Sequence, residues 1–430
     1  MVSILICCTP AHGHVYPLLT VARHLVAEGH DVRMLTGTRY RDAVTAAGVE
    51  FIPMPPGADI DLDHVNDMFP ERAAMKPIPQ LRFSVIECFI KPGRFHVKAV
   101  EDAIADRPVD VILSEMMFVG SAMLVERPLG ERPPILMLGI FPLAAQDPDV
   151  APYGLGITPL PGPIGRIRNR ILQAVAARMF APILDAANEI FTDVNGEQNE
   201  EFAAMDMVAN SDMLLQFTVP EFEYPRSTLP ETVRFVGPMT RTAPTTTPLP
   251  DWWGDLDGRT VVHVSQGTIA NSDPTELIIP TLQALADEDV LVVVSTGGRP
   301  VESLGILPAN ARAAEYLPYD KLFPKLSVFV TNGGYGGLHF ALQHGVPIVA
   351  SGTSEDKLET NARVRWSGTG VSLRTQRPTP ARIRKGVRKV LDDARYRTRA
   401  AEFSAAIDAS PGLPAIDRAI EDLVAVSRDA

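Results

Sequence analysis

The chain alternates between short, wholly apolar runs and longer amphipathic stretches. "VSILICC" at positions 2–8 is an apolar run of strand length. The pattern "PLLTVARHLVAEG" that follows places Leu18, Leu19, Ala22, Leu25 and Val26 on one side of a helix that stops at Gly29. "HDVRMLT" then reads as a strand, "HVKAVEDAIADR" as a charged helix, and "PVDVILSE" and "PPILMLGI" as two more strands. Apolar strands separated by helices predict a parallel sheet covered on both faces. Residues 145–165, rich in Pro and Gly, read as a long loop, and "ARMFAPILDAANEIFTDVNGEQNEEF" after them as a helix.

The segment "GPMTRTAPTTTPLPDWWGDLDG" at 237–258 has no apolar period and reads as a linker. Beyond it the alternation restarts with "TVVHVSQGT", "VLVVVSTGG" and "LSVFVTNGG", each strand ending in a turn of small residues. The expected fold class is α/β, with two doubly wound, Rossmann-like domains at 1–236 and 259–410. A last amphipathic helix within 411–430, "PAIDRAIEDLVAV", fits against either domain.

Composition narrows the function. At 430 residues the chain is too long for one ordinary core and suits two domains of about 200 residues each. It is 46% hydrophobic and 21% charged, with a formal net charge of -12, so nucleic acid and anionic membranes are disfavoured as partners. No apolar run reaches the roughly 20 residues of a spanning helix, and the start "MVSILICCTP" lacks signal-peptide features, which reads as cytoplasmic. Cys7, Cys8 and Cys88 form no disulfide framework or zinc spacing, and Cys7 and Cys8 point to opposite faces of one strand.

In parallel sheets of this kind ligands sit at the carboxyl ends of the strands, where helix N-termini present free amides to anions. Ser265, Gly267 and Thr268 end one strand here, and Asn332, Gly333, Gly334, Gly336 and Gly337 lead from another into a helix. Four glycines at one helix start suit close approach to a phosphate. Neither GxxxxGK[ST] nor a strand-linked GxGxxG is present, which argues against a P-loop enzyme and a dinucleotide dehydrogenase. "PAHGHVYP" at 10–17 places His12 and His14 where the first strand gives way to a helix, and an imidazole there can accept and release a proton near neutrality.

The order "PAHGHVYP", Pro/Thr linker, "VSQGT" and "EYLPYDKLFPKLSVFVTNGGYGGLHFALQHGVPIVASGTSEDKLETNA" resembles the family 1 nucleotide-sugar glycosyltransferases of GT-B fold, especially the bacterial macrolide and natural-product type. The resemblance covers nearly the whole chain, with 315–361 matching the donor-binding signature. It implies an N-terminal acceptor domain and a C-terminal nucleotide-sugar domain facing a cleft, with inverting and metal-independent transfer. No cofactor is implied beyond the nucleotide diphosphate sugar as co-substrate. The acceptor is expected to be a lipophilic hydroxylated molecule, and the chain a monomer or homodimer.

By the same resemblance His14 is the general base. Glu115 stands where the family usually has the aspartate that orients it, one methylene longer; Asp110 lies at the wrong end of that strand. Tyr316 takes the place of the aromatic that stacks on the base, and Leu317 meets the base edge through its backbone. Asn332 replaces a histidine that contacts the diphosphate, and Asp356 and Lys357 replace an Asp-Gln pair that binds glucose hydroxyls. Phe340 replaces a glutamate that grips the ribose, which with Lys357 favours a dTDP-deoxysugar over UDP-glucose. His12, Met116, Met117, Phe118 and Phe141 are acceptor-site candidates, although core packing explains the Met- and Phe-rich stretches equally well. A GT-B sugar-nucleotide epimerase and an inactive nucleotide-sugar binding protein stand as alternatives.

Overall fold

The computed structural model describes residues 1–196, 206–239, 247–267 and 271–429. Its first sheet has seven strands: β1 (Ser3–Cys7), β2 (Asp31–Thr36), β3 (Glu50–Pro53), β4 (Val111–Ser114), β5 (Ile135–Gly139), β6 (Met213–Gln216) and β7 (Val233–Phe235). All pairings are parallel, in the order β3-β2-β1-β4-β5-β6-β7. The second sheet has six: β8 (Val261–Ser265), β9 (Leu291–Ser295), β10 (Ala311–Ala314), β11 (Val328–Thr331), β12 (Ile348–Ala350) and β13 (Gly370–Ser372). It too is all parallel, ordered β10-β9-β8-β11-β12-β13. Both sheets are doubly wound, and each reverses direction beside its own first strand, at β1/β4 and at β8/β11.

The apolar runs are buried on both faces, as an all-parallel sheet requires. Ile4, Ile6 and Cys8 pack against the helix His12–Ala27, while Leu5 and Cys7 pack against Gly93–Asp106 on the opposite side. The adjacent cysteines thus point to opposite faces. In the second sheet Val261, Leu291, Val293 and Phe329 face the helices Tyr335–Gln343 and Ala394–Ala409. Val262, Val264, Val292 and Val330 face Ile278–Leu285 and Pro380–Asp392.

Two expectations need correction. The first helix starts at His12, five residues before Pro17 where the apolar pattern begins, and carries that proline within it. The loop ends at Pro161, because the next helix runs Gly162–Asn195 and closes on Gly196 in the left-handed conformation. Its first half exposes Ile164, Ile167 and Ile171, so it carries little of the buried stripe that marks a helix in sequence. The helical reading of 197–202 falls outside the described residues, as does 240–246 of the linker.

The last helix, Pro414–Asp429, packs on the first sheet's core through Ile416, Ala419, Ile420, Leu423 and Val424. Asp417 meets His24 at 2.8 Å and Asp422 meets Arg234 at 2.7 Å. The chain therefore returns to its first half at its end. The two passages touch: Gly412 donates to the Val236 carbonyl at 2.8 Å, and a side chain at Gly237 would run into Ser410.

Candidate active site

Both reversal points carry the residues singled out by sequence. At β1/β4, where Cys7 pairs with Ser114, the chain leaves β1 through Thr9 to His14 in the first helical turn, and leaves β4 directly into Glu115. The Glu115 carboxylate is fully buried. It accepts from the Thr9 amide at 3.0 Å and the Met117 amide at 2.8 Å, and its Oε2 lies 3.2 Å from His14 Nδ1. That last contact is an ion-pair distance off the line of a straight hydrogen bond. Burial pushes the Glu115 carboxyl up, but the His14 charge and hydrogen bond with the two amides outweigh it and leave Glu115 below the ordinary glutamate value. The longer side chain thus reaches the histidine from this strand end.

His14 keeps 13% of its side-chain surface exposed, and its ring meets Phe141 edge-on at 4.8 Å. With Nδ1 turned to Glu115, Nε2 is the nitrogen left to take a proton. His12 packs against Tyr16 at 4.3 Å between ring centres. Met117 and Phe141 are half-buried beside a cluster that includes Met116, Met137 and Leu143. Phe118 does not line a pocket. It is fully buried, stacked on His96 at 4.2 Å in the sheet's other core, because the turn after Glu115 directs it inward.

At β8/β11 the turns face the same way. Ser265 closes β8 and accepts from the Gly267 amide at 3.2 Å; Thr268 lies outside the described residues. Gly333, at φ +96°, and Gly334 lead into the helix Tyr335–Gln343, with Gly336 and Gly337 in its first turn. A side chain at Gly333 would strike Asn361, so only glycine fits there. Asn332 is buried, and its Nδ2 donates to the Gln266 carbonyl at 2.6 Å. One of the two side-chain N–H groups of Asn332 is therefore committed to the protein, and the amide carries no charge.

Tyr316 is 58% exposed and lies against the Gly297–Gly298 turn, where a side chain at Gly298 would meet its ring. Leu317 turns its side chain into the core, leaving its backbone toward the turn. The Phe340 ring sits among Phe323 at 4.9 Å, His344 at 5.1 Å and Tyr319 at 5.9 Å. It is thus a packed aromatic beside the loop that carries Tyr316.

Asp356 and Lys357 open the helix Lys357–Ser367. Desolvation raises the Asp356 carboxyl to about 6, opposed by Lys357 and reinforced by Glu355; His14, from the other half of the chain, also pulls it down. Lys357 is buried, and its Nζ contacts Glu355 and, at 3.4 Å, Ser354 Oγ.

Sequence reading missed a buried network tying the halves together. Arg363 donates to Glu223 at 2.8 Å and to Glu359 at 2.8 Å, and lies over the Tyr224 ring at 4.2 Å. Glu359 also accepts from the amides of Gly154 and Gly156, pinning the 145–161 loop to the donor-side helix. Apart from the i,i+4 pair of Glu359 with Arg363, these partners have no local signal and lie up to 205 positions apart. Among the described residues no group of three or more His, Cys, Asp or Glu side chains is placed to hold a metal ion, and no helix is long and apolar enough to cross a membrane.

Comparisons with known proteins agree with this geometry. Residues 6–103 match the glycosyltransferase family 28 N-terminal domain, and 280–423 match the erythromycin biosynthesis protein CIII-like C-terminal domain. The chain is 38% identical to the 4'-demethylrebeccamycin synthase of Lentzea aerocolonigenes, covering 93% of this chain and 94% of that one. It is 33% identical to UDP-glycosyltransferase 2 of Phaeomoniella chlamydospora, over 98% and 96%. Its structure is similar to that of CalG4, the calicheamicin glycosyltransferase, at a TM-score of 0.72 and 21% identity, covering 98% of each chain. Two reversal-point sites in two parallel-sheet halves, with these matches along both, make the chain a member of the natural-product glycosyltransferases of GT-B fold.

Proposed function

We propose that this enzyme moves a sugar from a nucleotide diphosphate donor to a hydroxyl of a lipophilic small molecule, with inversion at the anomeric carbon and no metal. The observation that carries this reading is His14 held 3.2 Å from the buried Glu115 carboxylate, where β1 and β4 end side by side. In this reading the acceptor oxygen gives its proton to His14 Nε2 and attacks C1 of the sugar, whose hydroxyls Asp356 holds. Glu115 keeps the ring oriented and favours the imidazolium that forms. The amides of Gly333 and Gly334 at the helix start receive the diphosphate, so the departing charge needs no cation from solution. Phe141 and Met117 supply an apolar wall beside the base.

Phe340 and Lys357 favour a dTDP-deoxysugar as donor, since neither offers the acceptor a uridine ribose or a glucose would use. A uridine diphosphate donor is the second reading, favoured by the name of the Phaeomoniella relative and by the packing of Phe340 among aromatic rings. Mass spectrometry of products from a panel of nucleotide sugars and hydroxylated acceptors tests the function; donor turnover without any glycosylated product would refute transfer. Calorimetric titration with dTDP and UDP, repeated on Phe340→Glu, tests the base: UDP binding as tightly as dTDP refutes selection by Phe340.

A further inference from the structure

We infer that Lys357 is a catalytic residue that holds the leaving diphosphate, supplying the cation that the Asn332 position lacks. The inference rests on the proposed function and concerns the chemistry of the same site. Asn332 spends one side-chain N–H on the Gln266 carbonyl and carries no charge, so the strand end offers the phosphates backbone amides but no side-chain cation. Lys357 is the cation that lies against that strand end. Its stem and the Asn332 carbonyl press on the same glycine: a side chain added at Gly352 would meet the Asn332 oxygen and, at 3.0 Å, Lys357 Cδ. The ammonium is 3% exposed, yet its charge partner, Glu355, is 58% exposed and sits at φ +54°, a left-handed conformation rare for a non-glycine residue. A buried cation whose ion pair is with an exposed carboxylate on a strained turn, and whose other hydrogen-bond contact is Ser354 Oγ at 3.4 Å, can exchange that carboxylate for a better partner at little cost, because Glu355 returns to water. A diphosphate bound at the amides of Gly333 and Gly334 is such a partner.

In the reaction the C1–oxygen bond to the β-phosphate breaks, and its electron pair stays on that phosphate oxygen. The acceptor oxygen forms the new bond to C1, and its proton passes to His14. Lys357 takes no part in the bond changes; it steadies the charge growing on the diphosphate.

The test titrates UDP, UMP, dTDP and dTMP into the wild-type enzyme, Lys357→Met and Lys357→Arg. Lys357→Met removes the cation beside the exposed Glu355 and the neighbouring Asp356, and matching melting curves establish that it folds. The expected result is a loss of roughly 10- to 100-fold in diphosphate affinity in the Met variant, with monophosphate affinity unchanged. Turnover falls by about 10²-fold, and Arg restores most of both. An unchanged diphosphate-to-monophosphate ratio in the Met variant overturns the inference. So does a change confined to which sugar is accepted, since that assigns Lys357 to the sugar hydroxyls. A wild-type enzyme with no preference for diphosphate over monophosphate instead overturns the functional reading beneath it.

Discussion

Replacing Glu115 by Gln tests the base and its support together. The carboxylate serves three N–H groups: the amides of Thr9 at 3.0 Å and Met117 at 2.8 Å, and His14 Nδ1 at 3.2 Å. A glutamine has one acceptor oxygen, so however the amide turns, one backbone N–H faces an NH2 group in a site with no water access. That leaves a buried donor unsatisfied, at about 1–3 kcal/mol of stability. The catalytic loss comes from charge. An imidazolium and a carboxylate 3.2 Å apart attract by about 5 kcal/mol at an effective dielectric near 20, an upper limit for what the transition state loses. If half of that is realised, turnover falls about 10²-fold; the full value approaches 10⁴.

The assay is turnover at saturating donor, beside thermal midpoints across pH. Because the folded-state pKa of Glu115 is lowered, its stabilising effect is present above the unfolded value near 4.5 and is lost as pH falls through the lowered one. The midpoint gap between wild type and Glu115→Gln therefore narrows below pH 4.5. Turnover within about threefold of wild type would refute the assignment and require another group to orient His14.

His14→Ala is expected to lower turnover about 10²- to 10⁴-fold while leaving nucleotide affinity nearly intact, read by steady-state kinetics and calorimetry. Asp356→Asn should raise the thermal midpoint above pH 6 and not at pH 4: a carboxyl raised to about 6 favours the folded state most at low pH, and that benefit is lost as pH rises through 6. Arg363→Met leaves Glu359 buried without its cation and Glu223 with only the longer contact to Arg226 at 3.5 Å, a loss of about 3–5 kcal/mol that scanning calorimetry reads as a midpoint drop of roughly 10 °C. Tyr316→Ala should weaken nucleotide binding by about fivefold without changing turnover at saturation.

The strands that build both reversal points were legible because they are buried on both faces and almost wholly apolar; "ILIC", "VILS", "VVHVS" and "VFVT" announce burial by composition rather than by length. The strands "EFIP", "ARAA" and "GVS" at or near the sheet edges are short and half-exposed, and carry no such signal. His14 and Glu115 could be paired in advance through the family resemblance, which sets each at a strand end; that those strands are neighbours is visible only in the fold. What Asn332 does could not be read in advance, since its partner Gln266 is fixed by how β8 and β11 align rather than by anything beside it in the chain. The outward turn of the isoleucines in Gly162–Asn195, and the meeting of Glu223 with Arg363 across 140 positions, likewise exist only once the halves are assembled.

The return of the last helix to the first half makes the two halves inseparable as parts. Residues 259–430 taken alone would carry Ile416, Ile420 and Leu423 with no surface to cover them, and residues 1–236 alone would leave the matching groove open to water. A hybrid that joins this first half to a foreign second half must therefore cut the chain twice, near Gly237 and near Gly412, and keep the native tail with the native front. Because those two cuts lie side by side in space, both seams of such a graft fall at one point on the molecule, and the native helix needs no rebuilding to cross it.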